Sequence, residues 1–321
     1  MLISLADIEA AQQRLRGVAV HTPLVAMEDS GGNGCLWIKA ECLQPIGSFK
    51  LRGAYNKISL LSPEEHRRGV ITYSSGNHAQ GVAYAARALG LKAVIVMPAN
   101  APQVKQQATA ALGGEIVLVG PSSQERRQKA EELAREFGYT VIPPYDDPAI
   151  IAGQGTCGLE IVADLPDVEL VLAPVGGGGL LSGVAAAIKL SRPGIPVFGV
   201  EPELAGDAAE SYRAGRIVSY TGEQTTRTIA DGLRTQSIGE LNFAHIRAYV
   251  DGIVTVTEAE IRSAMRRMIF STRLVTEPSG AVATAAALYH AAELPHSRKT
   301  VAVMSGGNVE PEILRAVISE S

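Results

Sequence analysis

Cysteine, clustered positive charge and long apolar runs are scarce in this sequence, and each shortage excludes a class of protein. The 321 residues include three cysteines without CxxC spacing, a usage that favours a reducing cytoplasm over a disulfide framework. Lysine and arginine number 29 against 33 acidic residues, with no basic tract, so we expect neither a nucleic acid nor an anionic membrane as partner. No apolar run reaches the roughly 18 residues that a membrane-spanning helix needs. The amphipathic N-terminus carries acidic residues early and does not resemble a signal peptide.

Apolar runs of strand length alternate with helical patterns almost throughout the chain. Runs such as AVIVM and LVLAPV lack polar alternation, which is typical of parallel strands that are covered on both faces. The pattern predicts a doubly wound α/β fold. The predicted strands span residues 36–41, 69–73, 92–97, 115–119, 140–143, 170–174, 197–200 and 301–304. The predicted helices span residues 49–61, 77–89, 102–112, 122–137, 149–163 and 180–190.

The β/α units between residues 69 and 146 form a block of their own within this alternation. With 46% apolar residues, a chain of this length can bury two cores. We therefore expect residues 69–146 to form a small mobile domain, inserted into a large domain made of residues 1–68 and 147–321.

The stretch QPIGSFKLRG places Lys50 at an unusual position. Its proline and first glycine indicate a turn, and Ser48 is a candidate N-cap for a helix that starts at Phe49. The free N–H groups and the dipole make this end of a helix positive. Such a place lowers the pKa of an ammonium group and helps to keep the amine neutral, as a Schiff-base lysine must be. A surface lysine on an ordinary helix is the alternative that this stretch alone leaves open.

Three loops each follow a predicted strand, which is where open α/β sheets bind ligands. The first contains Ser74, Ser75, Gly76, Asn77 and His78 and leads into a helix, whose N–H groups can hold a carboxylate. The amide of Asn77 and the hydroxyl of Ser75 add polar groups, and the hydroxyl can move a proton. Simple helix capping, with a structural role for His78, is the alternative.

The second loop is a run of four glycines, Gly176 to Gly179, after the strand LVLAPV. Its N–H groups form a nest that suits a phosphate. A dinucleotide site is an alternative, because Glu201 lies about 20 residues further on. The G-x-G-x-x-G/A spacing fails, however, since Leu181 or Ser182 stands where the last small residue is needed. We therefore predict a site for one isolated phosphate.

The third loop runs from Ser305 to Asn308 and ends the last predicted strand. A hydroxyl held at the carboxyl end of a strand can bond the ring nitrogen of a ligand. Taken alone, this signal is weak.

The sequence resembles the fold type II (tryptophan synthase β-like) pyridoxal-phosphate enzymes, and within them the threonine/serine dehydratase and serine racemase branch. The motifs that carry the resemblance occur in the family's order across almost the whole chain and are SFKLRGA, SSGNHAQG, IAGQGT, VGGGGL, TIADGL, EPSGA and SGGN. The resemblance implies pyridoxal 5′-phosphate as cofactor, attached to Lys50, with Phe49 packed against its ring. It also implies that the phosphate meets Gly176–Gly179, the 3′-oxygen meets Asn77 and the pyridine nitrogen meets Ser305.

The same resemblance implies a lyase that acts on a 3-hydroxy amino acid such as L-threonine, L-serine or 3-hydroxyaspartate. Lys50 would remove the α-proton, the β-hydroxyl would leave, and hydrolysis would yield a 2-oxo acid and ammonia. The residues implied around the substrate are Ser74, Ser75, Asn77, His78 and Arg126, with Glu277 and Gly232 near the ring face. Tyr145 and Asp146 are candidates for the pocket beside the β-carbon.

Ser75 keeps a second activity open, that of a serine, aspartate or hydroxyaspartate racemase. Racemisation needs a second acid/base on the face opposite Lys50, and serine racemases carry a serine at this point of SSGNH. A third hypothesis is a cofactor-binding carrier or sensor without catalysis, which is weakened by the presence of Lys50, Asn77 and Ser305 together.

Glu201, Ala205 and Asp207 match the loop in which racemases bind a divalent cation. Two carboxylates, a carbonyl and water are ligands that suit Mg²⁺, Mn²⁺ or Ca²⁺. A polar loop without a bound ion is the alternative. The resemblance further implies a homodimer or homotetramer, and the cysteine usage predicts a location in the cytoplasm.

Overall fold

The structure is a computed structural model, and it describes residues 1–28, 34–101, 103–120 and 123–320. Its strands are β1 (Leu24–Glu28), β2 (Cys35–Ala40), β3 (Val70–Tyr73), β4 (Ala93–Pro98), β5 (Gly114–Val119), β6 (Thr140–Val141), β7 (Leu170–Pro174), β8 (Val197–Pro202), β9 (Gly252–Val256) and β10 (Lys299–Met304). Short 3₁₀ turns cover Glu41–Leu43, Glu203–Ala205 and Asp231–Leu233.

The α-helices follow the strands in alternation along most of the chain. They are α1 (Leu5–Arg14), α2 (Lys50–Ile58), α3 (Pro63–Arg68), α4 (Asn77–Leu89), α5 (Gln103–Ala111), α6 (Ser123–Phe137), α7 (Pro148–Asp164), α8 (Gly179–Ser191), α9 (Asp207–Ala214), α10 (Gly222–Thr225), α11 (Glu240–Tyr249), α12 (Glu258–Thr272), α13 (Pro278–Tyr289) and α14 (Pro311–Ser319).

The larger sheet has six strands in the order β1-β2-β10-β7-β8-β9 and is parallel except for β1, which pairs antiparallel with β2. Its central strands are apolar on both faces because helices cover both. Leu172 and Ala302 pack in the core on the α13 side, whereas their neighbours Val171 and Val301 pack on the α8 side. This double burial explains why these strands lack polar alternation.

The smaller sheet has four parallel strands in the order β5-β4-β3-β6. Helix α2 packs against it, since Ala54 and Ile58 share a buried cluster with Val70 and Ile95. The helix that begins at Lys50 therefore packs in the core of the smaller sheet, although it lies outside residues 69–146 in the chain. The limits of the two domains stay a prediction.

The doubly wound fold is confirmed. The helix predicted at 77–89 and the strand predicted at 170–174 have the predicted bounds, whereas the helix predicted at 49–61 ends at Ile58. Strands β1 and β9 were not predicted from the alternation of patterns. Residues 102 and 122, where two predicted helices begin, lie outside the described residues. Among the described helices, none is both long enough and apolar enough to cross a membrane.

Candidate active site

A cavity of about 520 Å³ lies between the two sheets, where the loops after β3, β7 and β10 meet. These are the three loops that the sequence singled out. The loops after β7 and β10 lie together because parallel strands of the larger sheet present their carboxyl ends at the same edge. The loop after β3 belongs to the smaller sheet and lines the same cavity. The predicted residues that line the cavity are Phe49, Lys50, Ser74, Ser75, Asn77, His78, Arg126, Gly176, Gly177, Gly178, Gly179 and Ser305. Glu201, Ala205 and Asp207 are not among its lining residues.

Lys50 lies in the first turn of α2, as predicted, although the helix begins at Lys50 and not at Phe49. Its amine points into the cavity. Nζ donates to the Pro144 carbonyl at 2.7 Å and lies 5.2 Å from the centre of the Phe49 ring. Burial lowers the pKa of Lys50 to about 8, and the negative charge of Glu277 opposes this shift. The amine is thus far easier to deprotonate than that of a solvated lysine.

Ser48 is not the N-cap of α2, so this prediction is wrong. The cap residue is Phe49, which has no side-chain cap bond, and Ser48 instead forms an isolated antiparallel bridge with Gly306. Gly307 N–H also donates to the Gly47 carbonyl at 2.9 Å. The backbone before Lys50 is therefore shaped by its pairing with the loop after β10.

The four glycines after β7 are buried and form part of the cavity wall. The N–H groups of Gly176 to Gly179 have no acceptor among the described residues. Gly178 has φ of +99°, a conformation that side-chain-bearing residues rarely adopt. Because buried donors without partners are costly, a loop that presents several of them at a cavity suits an anion.

A polar network that includes the predicted ring-binding residues also lines the cavity. Asn77 Nδ2 donates to Glu277 Oε1 at 2.7 Å, and Asn308 Nδ2 donates to Asn77 Oδ1 at 2.7 Å. Burial, and then the charge of Asp231, raise the pKa of Glu277 to about 8. The hydroxyl of Ser305 has one long contact, 3.4 Å to the Ser279 carbonyl, and so remains available to a ligand.

The loop before α4 is more open than the glycine loop. Ser74, Ser75 and Gly76 are half-buried, and the Gly76 N–H donates to Ser74 Oγ at 3.3 Å. His78 differs from its neighbours because its ring is buried and Nε2 lies 3.0 Å from the Ile142 carbonyl. Burial lowers the pKa of His78 to about 3, so the ring is neutral at ordinary pH. It can donate a hydrogen bond but does not act as a general acid.

Arg126 of α6 and Tyr145 both line the cavity, in agreement with the sequence analysis. Desolvation lowers the pKa of Arg126, and it raises the pKa of Tyr145 to about 12. Asp146, in contrast, is not among the lining residues, and its proposed place beside the β-carbon is wrong. Its Oδ1 accepts from the N–H groups of Leu241 and Asn242 at 3.0 and 3.2 Å, because it faces the first turn of α11.

Sequence reasoning missed Lys105, which lies on α5 and lines the cavity. Its Nζ is 2.8 Å from Asp231 Oδ2 and 3.1 Å from Glu310 Oε1, two groups that belong with the larger sheet. The ion pairs therefore join elements of the two sheets at the cavity. No local motif marks this lysine, since its partners lie more than a hundred residues away in the chain.

A buried charge cluster behind Lys50 was also missed. Arg52, two residues along α2, bonds Glu41 through Nε at 2.7 Å and Glu160 through Nη1 at 2.7 Å. Lys39 Nζ lies 2.6 Å from Glu160 Oε2 and donates to the Thr22 carbonyl. All of these charges are paired, which is the condition under which buried charges are tolerated. The cluster ties α2 to β2 and α7.

The predicted cation ligands lie together at the end of β8 and the start of α9. Glu201 accepts from the N–H groups of Ala208 and Ala209 at 3.1 and 2.9 Å, whereas both carboxylate oxygens of Asp207 are buried without a partner among the described residues. Desolvation raises the pKa of both acids, and the charge of Asp207 raises that of Glu201 further. The described residues contain no cluster of three or more His, Cys, Asp or Glu side chains suited to a metal, so this candidate depends on two carboxylates and a carbonyl.

Comparison with known proteins identifies a family. A family profile described as pyridoxal-phosphate dependent enzyme matches residues 16–306. The L-threonine ammonia-lyase of Thermotoga maritima is 44% identical over 99% of this chain and 79% of its own length. The solved processed form of threonine deaminase isoform 2 from Solanum lycopersicum has a TM-score of 0.90 and 41% identity, covering 98% of this chain and 91% of that one. Maize serine racemase has a TM-score of 0.92 and 36% identity, covering 98% of this chain and 97% of that one.

Proposed function

Because the chain belongs to the family of pyridoxal-phosphate-dependent enzymes, we propose that it is a lyase that eliminates water from L-threonine or L-serine. The products are a 2-oxo acid and ammonia. The observation that carries the proposal is the Lys50 amine, which is held in the cavity together with the buried glycine loop. The similarity to a threonine ammonia-lyase and a threonine deaminase supports this choice of substrate class.

The residues of the cavity fit pyridoxal 5′-phosphate. Lys50 offers a nucleophilic amine, Gly176–Gly179 offer N–H donors without acceptors, and Ser305 offers a hydroxyl. Phe49 and Asn77 also line the cavity. Phe49 would supply an apolar wall for the ring, and Asn77 would supply an amide for the 3′-oxygen. When bound, the cofactor withdraws electrons from the substrate α-carbon and makes its proton acidic.

The chain's own groups then perform three tasks. The neutral amine of Lys50 removes the α-proton, and its lowered pKa makes this possible near neutral pH. The neutral hydroxyl of Ser305 would hold the ring nitrogen without forcing a proton onto it, a setting that favours prompt loss of the β-hydroxyl. The α4 N-terminus, with Ser74 and Asn77, holds the substrate carboxylate.

Product analysis tests this proposal. The purified, cofactor-loaded protein is incubated with L-serine, L-threonine and L-threo-3-hydroxyaspartate, and both 2-oxo acid and D-amino acid are followed. We expect 2-oxo acid as the main product, and the relative rates identify the substrate. A loaded protein that forms no 2-oxo acid from any of these amino acids contradicts the proposal.

Racemisation is the second candidate function. The hydroxyl of Ser75 lines the cavity and makes no hydrogen bond among the described residues, so it is available for proton transfer. The similarity to maize serine racemase supports this candidate. D-amino acid at a rate comparable to the 2-oxo acid, lost in Ser75→Ala, makes the protein a racemase with a lyase side reaction.

We further propose that Glu201, Asp207 and the Ala205 carbonyl bind Mg²⁺, Mn²⁺ or Ca²⁺. The buried Asp207 carboxylate has no partner in the described part of the chain, and this observation fits a cation, since buried charges need a counter-charge. Addition of Mg²⁺ after chelator treatment should raise the melting temperature of the wild type and leave that of Asp207→Asn unchanged. Equal melting curves and activity with and without chelator contradict this site.

Closure of the small domain, residues 69–146, over the large domain, residues 1–68 and 147–321, is a separate proposal. The ion pairs of Lys105 with Asp231 and Glu310 support it, since they join the two parts at the cavity. Closure would exclude water from the reacting groups. Identical solution scattering profiles with and without a substrate analogue contradict it.

Assembly and location are proposed from the family resemblance. We propose a homodimer or homotetramer, which sedimentation velocity tests, and a monomer at all concentrations contradicts it. The proposed location is the cytoplasm, which cell fractionation tests. The proposed ligand is a small amino acid.

A further inference from the structure

We propose that Asn242, on α11, is the positioning residue that aims the glycine loop at the cofactor phosphate. The proposal rests on the proposed function, since it concerns the anion for which the loop is built. Asn242 does not line the cavity. It acts from behind, through the carbonyl of Gly177.

The Gly177 carbonyl is held from the side of α11 by two donors. Asn242 Nδ2 donates to it at 2.9 Å, and the Gly239 N–H donates to it at 3.1 Å. In a trans peptide unit the C=O and the N–H point in opposite directions, and the described backbone contains no cis peptide bond. Since the Gly177 carbonyl points to α11, the Gly178 N–H points to the opposite side, where Gly178 lines the cavity.

Helix α11 is itself fixed against the loop. A Cβ atom on Gly178 would lie 2.8 Å from the Cβ of Asn242, so the Gly178 backbone packs closely against the Asn242 side chain. Asp146 Oδ1 accepts from the Asn242 N–H at 3.2 Å, and Ser182 Oγ donates to the Asn242 carbonyl at 3.2 Å. The side-chain amide of Asn242 therefore has little freedom to leave the Gly177 carbonyl.

Stability alone does not favour an asparagine at this place. Asn242 is 0% exposed, and its Oδ1 has no partner among the described residues. A buried acceptor without a partner costs free energy that an apolar side chain of similar size would avoid. The donation from Nδ2 has the compensating effect of polarising the Gly177–Gly178 peptide, which strengthens the Gly178 N–H as a donor to an anion.

The test compares two ligands that differ only in the phosphate. Apoenzyme is titrated with pyridoxal 5′-phosphate and with pyridoxal, and binding is followed by absorption. In Asn242→Leu we expect the affinity for pyridoxal phosphate to fall roughly five- to tenfold, the effect of one hydrogen bond. The affinity for pyridoxal should stay within about twofold of the wild type, because that ligand does not use the Gly178 N–H. The melting temperature of the apoenzyme should not fall.

Ser182→Ala is the matched control, because it removes one buried hydrogen bond to the Asn242 backbone. The donation from Asn242 Nδ2 to the Gly177 carbonyl stays, and Asp146 still holds the Asn242 N–H. Its ratio of the two affinities should equal that of the wild type. Asn242→Ala gives a second measurement of the same ratio if the leucine variant does not fold, since it keeps the Cβ that packs on Gly178. If the ratio of the two affinities is unchanged in the Asn242 variants, including the case in which both affinities fall equally, the proposal is overturned. A wild type that binds neither ligand contradicts the proposed function instead.

Discussion

Two strand-loop-helix units meet at the cavity, and they differ in how firmly the loop is held. The loop between β7 and α8 is buried, has Gly178 at φ +99°, and is held by α11 through the bond from Asn242 to the Gly177 carbonyl. The loop between β3 and α4 is half-buried, and a long internal hydrogen bond joins its Gly76 N–H to Ser74 Oγ at 3.3 Å. Both present a helix N-terminus to the cavity.

The difference matches the two kinds of ligand that we propose. A cofactor that stays bound through every cycle gains from a rigid, pre-organised nest, because little ordering remains to be done on binding. A substrate that enters and leaves on each turnover needs a loop that adapts. The buried loop should therefore control cofactor affinity, and the open loop should control turnover and KM.

The largest expected effect is that of Lys50→Ala. This variant lacks the amine that attaches the cofactor and removes the α-proton of the substrate. Turnover should fall by about a thousandfold or more, since the general base and the covalent attachment are both lost. The glycine loop remains, so weaker cofactor binding should persist after the substitution. Rates of 2-oxo acid formation and retention of cofactor on dialysis measure the two quantities.

The control for that variant is Lys57→Ala, on the same helix, whose Nζ lies 2.7 Å from Asp147 Oδ2 and away from the cavity. Its activity should be close to that of the wild type. Equal losses in the two variants would mean that damage to α2, and not the amine itself, lowers the rate.

A pair of Gly→Ala substitutions tests the comparison directly. Gly178→Ala forces a left-handed residue and a contact of 2.8 Å with Asn242, so it should cost about 1–3 kcal/mol and weaken cofactor binding accordingly. Gly76→Ala meets nothing within 4 Å and has φ of −117°, so it should leave cofactor affinity unchanged. Titration of both apoenzymes with pyridoxal phosphate measures the two affinities. Equal affinities would remove the distinction between the loops.

The pH dependence of cofactor capture should report Lys50. Only the neutral amine attacks the cofactor aldehyde, and burial lowers the pKa of Lys50 from 10.5 to about 8. The rate should therefore rise about tenfold per pH unit at low pH and level off above pH about 8. Stopped-flow absorption of apoenzyme with excess cofactor measures this. A rate that keeps rising to pH about 10 would mean that the amine is solvated, with an ordinary pKa.

The smallest expected effect is that of Ser75→Ala in the open loop. Formation of 2-oxo acid should change only a few-fold, because Lys50 already supplies the base for elimination. Cofactor affinity should not change, whereas any D-amino acid product should disappear. A loss of cofactor affinity here would contradict the division of roles between the two loops.

Much of the fold and most of the cavity wall could be predicted from sequence, because the signals are local. Apolar runs without alternation mark buried parallel strands, and glycine or serine clusters after them mark the loops that converge. Strand β1 was missed because it is an antiparallel edge, outside the alternation of strands and helices. Ser48 was wrongly read as a cap because its pairing partner, Gly306, lies at the other end of the chain.

The partners of functional residues are the part that no local pattern reveals. Asn77 bonds Glu277 across 200 residues, and Asn242 bonds Gly177 across 65. Asp146 was expected in the pocket together with its neighbour Tyr145. Tyr145 lines the cavity, whereas the Asp146 carboxylate faces the first turn of α11. Hydrogen bonds of this kind depend on how the helices pack against one another. That packing is determined by residues from all parts of the chain, and not by the local sequence.

By itself the sequence determined the doubly wound α/β class, the position of Lys50 in the first turn of a helix and the nest of four glycines. These features follow from side-chain periodicity and from backbone freedom, which each residue carries wherever it is placed. Only the tertiary structure decided what stands behind them: the paired charges under α2, the ion pairs of Lys105 and the brace of α11 on the glycine loop. The physical reason is that these interactions join groups whose distance is set by burial of the cores, and not by the chain between them.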